Sequence, residues 1–157
     1  MCGLSQPVIL VIDADSLSLT ATSTALASQN YFVSNAEDRE SAIAAAKQLN
    51  LDLIICDVNL NGEDGVELCR VIRQLPNCND VPVMFLSNNQ LPSVASRLFS
   101  NGSALFLKKP YAVSLLLDLV EKALWMPHLI KSHEHRPHMP IGTFSKENLP
   151  ATQQVVQ

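Results

Sequence analysis

The 157-residue sequence has little glycine (5), few aromatic residues (5%) and only four cysteines. Each scarcity excludes something. Sparse glycine rules out a collagen-like chain, and 47% hydrophobic against 17% charged residues is the balance of a globular protein rather than a disordered one. Cys2, Cys56, Cys69 and Cys78 form no CxxC pair and no zinc-like spacing, so a zinc module or a disulfide framework is not expected. Cys56, inside an apolar run, reads as a small reduced core residue. No apolar run approaches ~18 residues, so none is expected to span a bilayer as a helix. A surplus of positive charge is also missing. The formal net charge is -4, which argues against a broad nucleic-acid-binding surface. The opening MCGLSQPVILVIDAD lacks a basic n-region and meets Asp13 soon after its apolar run, so no signal peptide is read and a cytoplasmic protein is expected.

What is present alternates. Apolar runs lie at Val8–Ile12, Tyr31–Val33, Leu51–Cys56, Val81–Leu86 and Ala104–Leu107. The first, third and fourth are nearly continuous in Val, Ile and Leu, as strands covered by helices on both faces are. Stretches of helical character separate or follow them: Ser16–Gln29, Asp38–Leu49, Val66–Gln74, Pro92–Ser100 and Val113–Trp125. Ser16 is placed to cap the first helix, with Asp15 as an alternative cap, and Asn30 to end it in the left-handed region. Asn61-Gly62 marks a turn, and Asn101-Gly102 closes the fourth helix, with Gly102 free to take positive φ. Strand and helix thus alternate five times in ~125 residues, and right-handed crossovers make an α/β, doubly wound, five-stranded parallel sheet.

Past Trp125 the pattern stops. Residues 126–157 include Pro127, Pro137, Pro140 and Pro150 and show no sustained apolar period, so 1–125 is expected to be the domain and 126–157 a flexible tail or linker. A short helix around Leu129–Ile130 stays open. His128, His133, His135 and His138 lie in this segment without an ordered frame, and a solvated stretch is expected rather than a metal site. The charge divides as well: 1–125 hold 13 Asp/Glu against 8 Lys/Arg, and the tail 2 against 3.

In an open parallel sheet, ligands bind beyond the C-terminal strand ends. Asp13, Ala14 and Asp15 follow the first run, Asp57 through Gly62 the third, Ser87 to Asn89 the fourth, and Lys108-Lys109-Pro110 the fifth. Acids, a hydroxyl and an amine therefore gather on one sheet edge. Two carboxylates ~4 Å apart repel by about 4 kcal/mol at an effective dielectric near 20, so such a site wants a cation. Mg²⁺ suits oxygen ligands and retained waters. Lys109 can offset a phosphoryl group and Ser87 can donate to it.

At these residues the chain resembles the receiver domain of two-component response regulators. The matching stretches are VILVIDAD at 8–15, NYFVSNAED at 30–38, LDLIICDVNLNGEDG at 51–65, VPVMFLSNN at 81–89 and GSALFLKKPY at 102–111. The resemblance implies a flavodoxin-like (βα)5 fold of strand order 2-1-3-4-5, an order that a chemotaxis receiver exemplifies. It implies that Asp57 is the phosphoacceptor, attacking a phosphohistidine on a histidine kinase or phosphotransfer protein. Asp13, Asp57 and the main-chain carbonyl of Asn59 would hold Mg²⁺. Ser87 and Lys109 would contact the phosphoryl group, Phe106 would be the switch aromatic, and the Lys109-Pro110 peptide would be cis. The output would be a shift of a two-state face at 90–124 toward a downstream protein target, with homodimerisation through the same helices left open. The expected protein is a single-domain phosphorelay receiver with no membrane or nucleic-acid partner. It would be no enzyme beyond self-catalysed phosphoryl transfer and autodephosphorylation.

Two positions depart from the family pattern. Receivers usually carry a second acid where this chain has Ala14, which should weaken Mg²⁺ binding. The residue after the site hydroxyl is usually Ala or Gly, and here it is Asn88. The alternative is a degenerate receiver that serves as a phosphorylation-independent interaction module. A small Mg²⁺-dependent phosphatase is more distant, because Asn59 stands where such enzymes carry a second Asp.

Overall fold

The computed structural model describes residues 6–88 and 104–135, with side chains to residue 125. Five strands form one parallel sheet: β1 (Val8–Ile12), β2 (Phe32–Ala36), β3 (Leu53–Asp57), β6 (Val83–Ser87) and β7 (Ala104–Lys108), in the order β2-β1-β3-β6-β7. Counted over these strands alone, that is the expected 2-1-3-4-5. The labels skip because a small antiparallel hairpin, β4 (Asn59–Leu60) and β5 (Glu63–Asp64), rises from the loop after β3. Its two turn residues, Asn61 and Gly62, have φ of 55° and 92°, the paired positive values of a type I′ turn. The Asn-Gly pair marks the turn as expected, but two-residue strands are too short to leave an alternation pattern.

The central strands β3 and β6 are buried at every position, whereas β2 and β7, at the sheet edges, are partly exposed. Alternate residues feed two cores. On one face Leu10, Ile12, Ile54, Cys56, Val83 and Phe85 pack with helices α2 (Arg39–Gln48) and α3 (Gly65–Ile72). On the other, Ile9, Val11, Leu53, Ile55, Met84 and Leu86 pack with α1 (Ser16–Ala27) and α4 (Val113–His135). This is the doubly wound arrangement that continuous apolar strands require.

Helix starts are capped by aspartates. Asp15, not Ser16, caps α1, its side chain accepting from Leu17 N–H. An N-cap must be extended, and Asp15 is (φ -90°, ψ 110°), while Ser16 is already helical. Asp38 and Ser41 make a reciprocal capping box on α2, and Asp64 caps α3. Asn30 takes φ 68° beyond α1, in the left-handed region as read. The last helix runs to His135 instead of ending at Trp125. The helix therefore passes Pro127 and outruns the apolar period. The expected helix at Pro92–Ser100, the turn at Gly102 and the segment 136–157 lie outside the described residues. Among the described residues no helix is long and apolar enough to cross a membrane.

Candidate functional site

Strand register brings the site together. Ile12 pairs with Cys56, so Asp13 and Asp57 leave β1 and β3 at the same level, and Asp57 itself pairs with Leu86. Ser87 pairs with Lys108, which sets Lys109 one step further along. The ladder continues past the strands, with Lys109 N–H donating to Ser87 O (2.8 Å) and Val58 N–H to Leu86 O (2.9 Å). Side-chain alternation puts Asp13, Asp57 and Lys109 on one side of the sheet, where they meet.

The centre is one ammonium between two carboxylates. Lys109 Nζ donates to Asp13 Oδ2 at 2.9 Å and to Asp57 Oδ2 at 2.5 Å. The second oxygens are held by main chain: Asp15 N–H donates to Asp13 Oδ1 (3.0 Å) and Asn59 N–H to Asp57 Oδ1 (2.8 Å). Asp13 and Ser87 are each 2% exposed and Asp57 6%, so these charges are tolerated because every carboxylate oxygen has a donor. Burial alone would lower the Lys109 pKa, but the bonds to Asp57 and Asp13 outweigh it and hold the ammonium above its ordinary value. The Lys109-Pro110 peptide is cis, as expected.

Behind Asp57 the packing is close. A Cβ on Gly65 would sit 2.0 Å from the Asp57 carbonyl oxygen, so only glycine lets α3 begin there, and Gly65 N–H donates to Val58 O at 2.8 Å. The Cys56 thiol donates to that same Asp57 carbonyl (3.3 Å). Its hydrogen bond with Cys69, together with full burial, pushes its pKa well above the ordinary thiol value, so it stays protonated. Cys56, Cys69 and Cys78 are all buried and free, consistent with reduced core thiols.

Of the residues expected at the site, Asp13, Asp57 and Lys109 are in direct contact, and Asn59 joins through its N–H. Ser87 lies buried at the end of β6. Phe106 is half-buried and stacked on Phe85, with ring centroids 5.8 Å apart. Ala14 is half-buried against the α2/α3 core and offers no ligand. Asn88 is exposed and lines a groove with Lys109 and Pro110. Gly65 stood inside a recognised stretch without a role, since a backbone approach leaves no mark in a single sequence. Also unforeseen is a hydrogen bond between Thr22 of α1 and Tyr111, 89 positions apart.

The donor chemistry suits Mg²⁺: hard carboxylate oxygens converge on one point that a cation already fills. The donor number is small. Among the described residues no group of three or more His, Cys, Asp or Glu side chains is placed to share a metal ion.

Comparison with known proteins agrees with this geometry. Residues 9–121 match the response regulator receiver domain. The transcriptional regulatory protein PrrA of Mycobacterium leprae is 33% identical over 124 residues, which cover 78% of this chain and 52% of PrrA. The transcriptional regulatory protein ResD of Bacillus subtilis is 30% identical over 108 residues, covering 69% and 44%. The chain thus spans about half the length of the curated relatives it matches. Among solved structures, the Vibrio cholerae chemotaxis protein CheY4 superposes with a TM-score of 0.70 at 24% identity, covering 76% of this chain and 99% of that one, a likeness of fold.

Proposed function

This chain belongs to the response regulator receiver family, and from that premise we propose that it accepts a phosphoryl group on Asp57 from a phosphohistidine of a histidine kinase or phosphotransfer protein. One observation carries the reading: the Lys109 ammonium is bonded to Asp57 and Asp13 together, at the end of a sheet whose neighbouring strand presents Ser87.

The residues divide the work. Asn59 N–H holds one Asp57 oxygen in place, so the carboxylate presents a fixed oxygen to an entering phosphorus. A bond forms from that oxygen to phosphorus as the phosphorus–imidazole bond breaks, and its electron pair leaves with the donor ring. Lys109 already compensates part of the carboxylate charge, and its ammonium would donate to the phosphoryl oxygens. The Ser87 hydroxyl would add a further donor. Asp13, Asp57 and the Asn59 carbonyl would hold Mg²⁺, which would supply positive charge to offset the phosphoryl group. A charge near -2 on Asp57 then biases Ser87, Phe106 and the 90–124 face toward a form that binds a downstream protein. A homodimer through that face and a cytoplasmic location belong to the same reading. It assigns no nucleic-acid contact to this acidic stretch, and no enzymatic activity beyond the receiver's own phosphoryl transfer and autodephosphorylation.

A second reading has its own support. Ala14, packed as an apolar residue where the family commonly has an acid, favours a receiver that binds its partner without phosphorylation. Acetyl phosphate with Mg²⁺ separates the two. The expected result is a mass increase of one phosphoryl group that Asp57→Asn abolishes and Ala14→Asp strengthens. No increase at high Mg²⁺, together with no response to beryllofluoride by NMR, overturns the phosphoacceptor reading in favour of the second.

A further inference from the structure

Four polar or charged residues are buried among the described residues: Asp13, Asp57, Ser87 and Thr22. The first three belong to the site. Thr22, 1% exposed and in the middle of α1, does not. A buried hydroxyl needs a partner, and this one bonds the phenol of Tyr111. Tyr111 lies two residues beyond Lys109, across Pro110, whose ring fixes φ and limits how freely the two can move apart.

The segment between them is held at its ends. Lys109 N–H is tied to Ser87 O, and Ala112 O accepts Leu115 and Leu116 N–H as α4 begins (3.0 and 3.1 Å). Side-chain packing against α1 is incomplete, because Ser18, Ala21 and Ala25 are small. They leave a groove of about 370 Å³ that also reaches Asn88, Lys109 and Pro110. Tyr111 lines this groove, and its hydroxyl bonds the buried Thr22 beside it.

We infer that Thr22 and Tyr111 form a latch that positions Lys109, tying the loop that carries the ammonium to helix α1. They are positioning residues: neither touches Asp57, and each acts through the other. A molecule that displaced Tyr111 from Thr22 would loosen the lysine without touching the carboxylates, so α1 is coupled to the site charge.

The test uses the full chain without phosphoryl donor, so its outcome is independent of whether Asp57 is phosphorylated. Thr22→Val and Tyr111→Phe each remove one hydroxyl and keep the shape, and the double variant removes both and leaves no buried orphan. The readouts are the exchange rate of the Lys109 ammonium protons by NMR and the urea midpoint. Exchange should rise about fivefold in either single variant, as loss of one net hydrogen bond allows, and should rise no further in the double. The urea midpoint should recover in the double variant relative to Thr22→Val. Val120→Ala, a cavity in the same core, should lower the midpoint while leaving Lys109 exchange unchanged. Wild-type exchange in the double variant, additive effects of the two changes, or equal acceleration in Val120→Ala would each overturn the latch.

Discussion

The loops after β1 and β3 begin alike and end differently. Each opens with a buried aspartate that gives one oxygen to the main-chain N–H two residues on and the other to Lys109. Around the lysine the two acids are near equivalents. The β1 loop then passes through Ala14 directly into α1, capped by Asp15. The β3 loop detours through a hairpin and returns so that Gly65 lies against the carbonyl of its own aspartate. The equivalence concerns charge and the difference concerns rigidity: Asp57 is backed by a wall of Gly65 backbone against its carbonyl, whereas Asp13 is tied by its own N–H to Ala36 O at 3.0 Å. A group that must present one fixed oxygen to a reacting atom gains from that wall. A group that only supplies charge does not need it.

The largest effect should come from removing what the loops share. Lys109→Met leaves both buried carboxylates without their cation and should cost about 4 kcal/mol, read as a lower urea midpoint at neutral pH. The pH dependence has a definite sign. Because the folded ammonium sits above the ordinary value of 10.5, its contribution is intact below that value and is lost as pH rises through the folded one. Wild-type stability should therefore fall on the alkaline side beyond 10.5, and Lys109→Met should lack that loss.

Next comes the wall. Gly65→Ala drives a methyl into backbone and should cost about 3 kcal/mol, whereas Ala14→Gly in the other loop should cost no more than about 1 kcal/mol, both from denaturant melts. Equal effects would dissolve the contrast in rigidity. Asp13→Asn and Asp57→Asn should each lose about 1.5 kcal/mol, since each removes one charged hydrogen bond and leaves the lysine its other partner. They should part company only when acetyl phosphate is added: Asp57→Asn takes up no phosphoryl group and Asp13→Asn takes it up slowly. The caps are the smallest test. Asp64 accepts from two N–H groups and Asp15 from one, so Asp64→Ala should lower the midpoint slightly more than Asp15→Ala, each by about 1 kcal/mol.

The fold was legible because its signals are short-range. Continuous apolar strands, turn residues and acids at strand ends can be read in windows of a few residues, and the ordered stretches around Asp57, Ser87 and Lys109 suffice to recognise the family. The meeting of Asp13, Asp57 and Lys109 followed from the topology. Other features depend on atoms brought close by the fold itself. The Gly65 approach, the Thr22–Tyr111 bond and the choice of Asp15 over Ser16 as cap turn on φ, on distance or on partners far away in sequence. Helix α4 outlasts its apolar period, since a helix can run on without a core-facing stripe.

The β4–β5 hairpin has a practical use. Its base is pinned where Gly65 N–H meets Val58 O, and its tip, Asn61-Gly62, is exposed and finds no neighbour within 4 Å of a Cβ built on Gly62. Chain between two pinned points can be lengthened at a cost that grows only logarithmically. This tip is therefore a splice point: an epitope or a fluorophore-binding peptide inserted between Asn61 and Gly62 would report on Asp57 from nearby while the walls around it stay in place.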